Sequence, residues 1–340
     1  MAKLKAILIG FGKIGSGYAS DPLMARYFPY ASHAQVLRDH PAFDWLAVID
    51  PSSEARAAAL RDWGIPIAVA DISDLPATIA PDIVVLASPP ESRTDNLKRF
   101  PSAKLAIVEK PLGRTAETSS RFIDSCHNLG IAVQVNLFRR AEETTRYLAN
   151  GGMLERIGRP QAVFSVYGNG MRNNAVHMVD LFRMLCGEVT TAQALSAPRP
   201  LADGPIPGDI ALAFALTTAE GTCCTFMPLD FAHYREVGMD IWGEQGRLEI
   251  LQEGLLNRIS PRQPHRALQN AMEIANDRHD LLPSRYGHAL YNIYDNAVAF
   301  LEHQTPLASP GKSALVNEII LDAVTESAAN GGILIRLDSN

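Results

Sequence analysis

Apolar and polar positions follow two different patterns along this chain. Between residues 4 and 136, short apolar runs recur with almost no polar alternation: LKAILI at 4–9, WLAVI at 45–49, IPIAV at 65–69, IVVLA at 83–87, LAIV at 105–108 and IAVQV at 131–135. Strands buried on both faces carry such runs. Helix-like segments separate them at 33–39, 53–63, 72–79, 93–100 and 118–129, with Pro41, Gly64 and Gly130 past the ends of three. Strand and helix in alternation predict an α/β fold with a doubly wound parallel sheet.

The pattern changes after Arg140. A helix is expected at 142–149, broken by Gly151-Gly152. Strand-like runs then follow one another from 161 to 251: QAVFSVYG, EVTTAQAL, IALAFALTT, GTCCTFMPL, REVGMDIWG and GRLEIL. TAEG and GEQG between them read as hairpin turns, so this sheet is largely antiparallel. Helices return near the end, the last at 314–329, which is expected to pack back on the first domain. The domains read as 1–125 and 126–340, with the chain passing between them near 125–140.

The first strand runs directly into Gly10-Phe11-Gly12-Lys13-Ile14-Gly15, a G-x-G-x-x-G turn. Gly10 allows a tight turn, Gly12 lets backbone approach a pyrophosphate, and Gly15 lets a following helix lie close. That helix is expected to turn its free N–H groups and positive dipole end to the phosphates. Asp50 ends the second strand, where a carboxylate accepts from ribose hydroxyls and repels a 2′-phosphate, which favours NAD. Ser52, Ser53 and Arg56 leave NADP open. The gap from the glycines exceeds the usual ~20 residues, and a Pro- and Tyr-rich insert at 16–31 accounts for the excess. The other strand ends carry Ser88-Pro89-Pro90, Glu109-Lys110-Pro111 and Asn136, and such ends form one ligand crevice.

Composition narrows the class. The 340 residues are 47% hydrophobic and 20% charged, with a net charge of −6. That suits two globular domains and gives no basic face for nucleic acid. No apolar run approaches the ~20 residues of a membrane span. Met-Ala-Lys-Leu-Lys runs straight into the first strand and leaves no room for a signal peptide. Cys126, Cys186, Cys223 and Cys224 form no C-x-x-C pair. They read as buried thiols of a cytoplasmic protein, with no metal site.

Two places promise chemistry. The segment 173–186, NNAVHMVDLFRMLC, is apolar nearly all round and predicts a buried helix. Asn173, His177 and Asp180 fall within roughly 60° of its arc. Such a stripe either closes a structural network or faces a polar ligand. Lys110, restricted by Pro111 and set beside Glu109, is the second. Arg139 and Arg140 are placed to clamp an anionic or hydroxyl-rich molecule.

These motifs occur in the order G-F-G-K-I-G, Asp50, S-P-P, E-K-P, V-N-L-F-R-R and N-N-A-V-H-M-V-D. Together they resemble the glucose–fructose oxidoreductase / inositol dehydrogenase / MocA family. Residues 241–246, IWGEQG, resemble that family's glycine turn in the second-domain sheet. The resemblance implies a Rossmann domain followed by an α/β domain with a large open sheet. It implies NAD(P)-dependent hydride transfer at a carbon of a sugar, cyclitol or related polyol. It also implies a homodimer or homotetramer formed through that sheet.

The family's active-site lysine and histidine map to Lys110 and His177. Its usual acidic residue four before the histidine is Asn173 here, so proton handling falls to His177 and Lys110. Arg93 stands near the place where many members carry a histidine. Asn136, Arg140, Asn173 and Asp180 are then expected to orient substrate hydroxyls. Gly10 to Gly15, Asp50, Ser88 to Pro90, Glu109 and Lys110 are expected to bind the cofactor. A biosynthetic reductase of a keto-sugar, nucleotide-linked sugar or imine is one alternative. A non-catalytic cofactor-binding regulator is another.

Overall fold

The structure is a computed structural model that describes residues 3–201 and 204–337. Two residues of the N-terminus read above, Met1 and Ala2, lie outside this range. The chain divides into two compact units, Met1–Ala141 with Gly287–Leu315, and Glu142–Tyr286 with Val316–Asn340.

The first unit is built on β1 (Leu4–Ile9), β2 (Phe43–Ile49), β3 (Ile67–Val69), β4 (Ile83–Leu86), β5 (Leu105–Val108) and β6 (Ala132–Val135). They form one sheet in the order β3-β2-β1-β4-β5-β6, with every pairing parallel. β4 and β5 are buried at every position, as uninterrupted apolar runs require. Strand order reverses between β1 and β4, the place where open α/β sheets receive ligands.

Helices α1 (His33–Asp39), α2 (Ser53–Asp62), α3 (Arg93–Lys98) and α4 (Ala116–Asn128) connect the strands. The segment read as a helix at 72–79 is only a short turn, Ile72–Asp74. Asp71 captures the Ser73 N–H at 2.8 Å, and Pro76 forces Leu75 to extend.

The insert at 16–31 holds only short turns, Gly17–Ser20 and Met24–Arg26, and α1 begins at His33 as the pattern predicts, so no helix N-terminus directly follows the glycine turn. Two bonds explain how the chain tolerates this. The N–H groups of His33 and Ala34 donate to the carbonyls of Ile14 and Gly15, at 3.1 and 2.9 Å. The insert therefore interrupts a helix that resumes on the carbonyls it left.

In the second unit, α5 (Glu143–Tyr147) and α6 (Met153–Ile157) precede β7 (Pro160–Tyr167), α7 (Val176–Cys186) and β8 (Val189–Ala194). A two-strand pair follows, β9 (Arg199–Pro200) and β10 (Ile210–Ala211). Then come β11 (Phe214–Thr218), β12 (Cys223–Pro228), β13 (Gly238–Gly243), β14 (Gly246–Leu251), β15 (Leu256–Pro264), β16 (Met272–Ile274) and β17 (Asp280–Leu282).

Next, α8 (Ala289–His303) belongs to the first unit. Its Leu290, Ile293, Tyr294 and Ala297 lie on one buried stripe in that unit's core. α9 (Gly311–Ala329) and β18 (Ile335–Arg336) end the described chain. The first residues of α9, to Leu315, count with the first unit and the remainder with the second.

The second sheet has ten strands along β16-β15-β14-β13-β7-β12-β11-β8-β18, with β17 beside β15. The β7–β12 pairing is parallel and the others are antiparallel. TAEG and GEQG do close hairpins. The run IALAFALTT divides into β10 and β11.

Adjacent Cys223 and Cys224 face opposite ways, as strand geometry demands. Cys224 is buried, but Cys223 is exposed, which corrects the expectation of four buried thiols. Burial pushes the Cys126 and Cys186 thiols up to about 12. Among the described residues no helix is long and apolar enough to cross a membrane.

Candidate active site

In the first unit the glycine turn is defined by close approaches. Gly10 has φ +96°, and a Cβ there would lie 2.7 Å from the backbone of Ala87 and Ser88. A Cβ on Gly15 would meet the Gly10 carbonyl oxygen at 2.5 Å. Gly12 differs, being exposed with nothing within 4 Å of where a Cβ would stand. Gly10 and Gly15 therefore hold the turn's shape, and Gly12 keeps its outer surface open. Lys13 is exposed and Ile14 half-buried beside it.

The Phe11 side chain turns inward. Its ring packs 6.2 Å from Trp45 and edge-on to Trp63, so only the backbone of Phe11 faces the turn's outer side. Asp50 Oδ2 accepts from the Phe11 N–H at 2.6 Å and Oδ1 from the Ser52 N–H at 2.8 Å. The carboxylate thus ties the glycine turn to the end of β2. Each oxygen keeps acceptor capacity for a ribose hydroxyl.

Arg93 joins the next two strand ends. It is 2% exposed. Its Nε and Nη2 donate to the Ser88 carbonyl at 3.0 and 2.6 Å, and Nη1 to the Pro111 carbonyl at 2.7 Å. Ser88-Pro89-Pro90 and Lys110-Pro111, joined by a cis peptide bond, are so braced against each other. Ser88 Oγ and Asn136 Oδ1 are buried without a hydrogen-bond partner among the described residues.

Beneath Lys110 lies a buried polar set. His33 Nε2 lies 3.0 Å from Glu109 Oε1, and His33 Nδ1 lies 2.7 Å from the Tyr294 hydroxyl. Asn136 Nδ2 donates to the same Glu109 oxygen at 2.5 Å. Burial opposes the charge on Glu109, but His33, Asn136 and Lys110 outweigh it and hold the carboxyl below its ordinary value. That contribution to stability is present at neutral pH and is lost as the pH falls through the lowered value. Removing one donor from such a set costs roughly 1–3 kcal/mol, against a typical total of ~5–15 kcal/mol, so single variants of the set should fold.

Arg140 is half-buried in the turn Phe138–Ala141, just past β6. Arg139 is buried, with its guanidinium 5.3 Å from the Phe138 ring centroid.

The second unit carries the other candidates. α7 begins at Val176, and the preceding turn Met171–Ala175 is wider than an α-helix. Asn173 therefore lies outside the regular helix, and the three-residue stripe reduces to His177 and Asp180 on α7. The cause is Asp209. Its carboxylate accepts from the N–H groups of Arg172, Asn173 and Ile210, at 3.1, 2.9 and 2.9 Å. Gly170, at φ +98°, makes room for it, since a Cβ there would lie 2.1 Å from Asp209 Oδ2.

His177 occupies the first turn of α7 and is 9% exposed. Asp180 Oδ1 accepts from Asn317 Nδ2 at 2.8 Å, and Asn317 Oδ1 accepts from Arg183 at 2.7 Å. Asp180 thus has a structural partner on α9 one helical turn beyond His177. A cavity of about 410 Å³ opens past the ends of β7 and β12, lined by Asn169, Arg199, Leu229, Asp230 and Arg235 among others. Arg235 is already paired with Glu253 and stacked on Phe231.

The sequence reading did not single out His33, Tyr294 or Asp209. His33 had one signal, as a lone polar residue on a helix face otherwise made of Ala34, Val36 and Leu37.

A dinucleotide fits the first unit on these features. Gly10 to Gly15 would hold the pyrophosphate, and Asp50 the adenosine ribose. Ser88 and Asn136 offer buried polar atoms that need a partner. Comparison with known proteins agrees. Residues 4–137 match the GFO_IDH_MocA family, an oxidoreductase family with an NAD-binding Rossmann fold.

Over 266 residues the chain is 27% identical to inositol 2-dehydrogenase/D-chiro-inositol 3-dehydrogenase of Lacticaseibacillus casei, covering 73% of this chain and 74% of that one. The structure of myo-inositol dehydrogenase from Lactobacillus casei with NAD(H) and myo-inositol is similar at TM-score 0.70 and 21% identity, covering 99% of this chain and 98% of that one. The WlbA dehydrogenase from Bordetella pertussis, in complex with NADH and UDP-GlcNAcA, is similar at TM-score 0.71 and 20% identity, covering 99% and 100%. The fold and the glycine turn define an NAD-binding oxidoreductase of the Rossmann class. Over residues 4–137 the chain is similar to the Gfo/Idh/MocA family.

Proposed function

We propose that the chain transfers a hydride between NAD and a secondary alcohol or ketone carbon of a sugar, cyclitol or related polyol. The observation that carries this reading is the strand-end rim of the first unit. It combines an open glycine turn, an anchored Asp50 and Lys110 above a buried carboxylate. NAD, when bound, supplies the hydride acceptor. His177 takes the hydroxyl proton, in the pH range where imidazole titrates. Lys110 donates to the same oxygen and stabilises its developing negative charge. Asn136, Arg140 and Asn173 orient neighbouring hydroxyls, and Asp180 acts through the order it gives α7. Purified protein mixed with NAD or NADP and a panel of polyols tests the reading. Nicotinamide reduction is expected with NAD and at least one cyclitol or sugar. No reduction with any polyol, in either direction, would overturn it.

A charged substituent on the substrate is the second reading, favoured by Arg199 in the cavity of the second unit. A nucleotide-linked or acidic sugar has that chemistry. A cytoplasmic setting fits three buried free thiols and the absence of any disulfide among the described residues.

We also propose that two copies pair through the outer face of the ten-strand sheet. Phe164, Met227 and Trp242 lie on one face by strand register and are 46%, 36% and 40% exposed. Beside them, Arg247 links Asp240 and Glu249 while stacking on Trp242. Sedimentation should show a dimer or tetramer for the native chain and a monomer for Phe164→Arg. A monomeric native chain would contradict the pairing.

A further inference from the structure

We infer that His33 and Tyr294 are positioning residues for Lys110, acting through Glu109. The inference rests on the reading of Lys110 given above and adds what sets that lysine's charge. The four members of the set come from separate parts of the first unit. His33 opens α1, Glu109 follows β5, Asn136 follows β6 and Tyr294 lies on α8. His33 and Tyr294 are 0% exposed, so no water competes for their bonds.

The direction of the chain of bonds follows from chemistry. Burial, and then the charge of Glu109, push the Tyr294 phenol well above its ordinary value, so it keeps its proton and shares a hydrogen bond with His33 Nδ1 at 2.7 Å. The ionised carboxylate can only accept, so His33 Nε2–H donates to Glu109 Oε1 at 3.0 Å. Asn136 donates a second hydrogen bond to that oxygen. Oε1 is held from two sides, and the carboxylate stays an anion in a buried place. The groups that act on it are His33 from α1, Asn136, and Lys110 next in the chain, with Tyr294 of α8 behind His33. A fixed anion there keeps Lys110 an ammonium, the form able to donate to a substrate oxygen. The set ends in the core at Tyr294.

The test reads Lys110 without substrate. Competitive acetylation of the intact native chain is followed by mass spectrometry of the Lys110 peptide as pH is varied. His33→Leu, Tyr294→Phe and Glu109→Gln are compared with the native chain. With the anion lost or loosened, Lys110 should lose its proton at lower pH. Each unit of that shift is about a tenfold gain in labelling rate near neutrality. We expect at least that gain in Glu109→Gln and His33→Leu. Tyr294→Phe removes one oxygen and keeps the ring, and it should show a smaller gain in the same direction. NAD affinity should not change in Tyr294→Phe.

Lys110 labelling curves in folded His33→Leu and Tyr294→Phe that superimpose on the native curve would overturn the inference. The curve is independent of turnover. If Lys110→Ala leaves turnover intact, the reading of Lys110 fails whatever the labelling shows.

Discussion

Replacing Lys110 by Ala lowers kcat by about 10²–10³, the usual loss for one donor aimed at a developing oxyanion, and leaves NAD affinity nearly unchanged. The reason is a separation within the first unit. The glycine turn and Asp50 are built by contacts among Gly10, Gly15, Phe11 and Ser52, and Lys110 makes none of them. The loop that carries Lys110 has its own support in Arg93, whose bonds to Ser88 and Pro111 do not need the lysine side chain. Truncating Lys110 therefore removes a charge without moving its frame. Steady-state kinetics on the substrate found in the polyol panel, with NAD binding measured by fluorescence titration, check this. Native turnover in Lys110→Ala would remove the lysine from the chemistry.

His177→Asn has the second large effect. Loss of a general base costs about 10²–10⁴ in rate. The pH dependence should change with it. In the native chain kcat/KM for alcohol oxidation falls as the pH drops through the range where imidazole gains its proton. In His177→Asn that acid limb disappears and a low, flat rate remains. Asparagine keeps hydrogen-bonding capacity, and α7 is held independently by Asp180, Asn317 and Arg183, so the helix itself should persist. Unfolding of the variant would show in its thermal transition and separate a structural loss from a chemical one. An acid limb retained in the variant would assign the base elsewhere. The missing carboxylate at position 173 sharpens the point. Asn173 cannot take a proton, and its N–H is already held by Asp209.

Local patterns made much of this legible. Uninterrupted apolar runs such as β4 and β5 suit strands covered on both faces, and their alternation with helix-like segments made the parallel sheet readable. The G-x-G-x-x-G turn showed itself through its spacing, and Gly10 and Gly15 each meet a distinct steric demand. What escaped depends on contacts distant in sequence. The partner of His33 lies at 294, and no local period marks a residue as the one that reaches a helix so far along the chain. The return of 287–315 to the first unit has the same cause, since an amphipathic stripe on α8 does not state which core it covers. Asp209 reshapes the turn at 171–175 from outside it, so a strict helical period misplaced Asn173. The insert at 16–31 was legible as an insert. The helix resuming on the carbonyls of Ile14 and Gly15 was not.

The central claim is hydride transfer itself, and isotope labelling tests it most directly. A polyol that turns over is prepared with deuterium on the reacting carbon and incubated with NAD and the native chain, and the nicotinamide product is examined by proton NMR. The account predicts one deuterium at nicotinamide C4, on a single face of the ring, and about 10²–10³ less of it when Lys110→Ala replaces the native chain over the same initial-rate interval. Deuterium released to water, with the nicotinamide unlabelled, would contradict it.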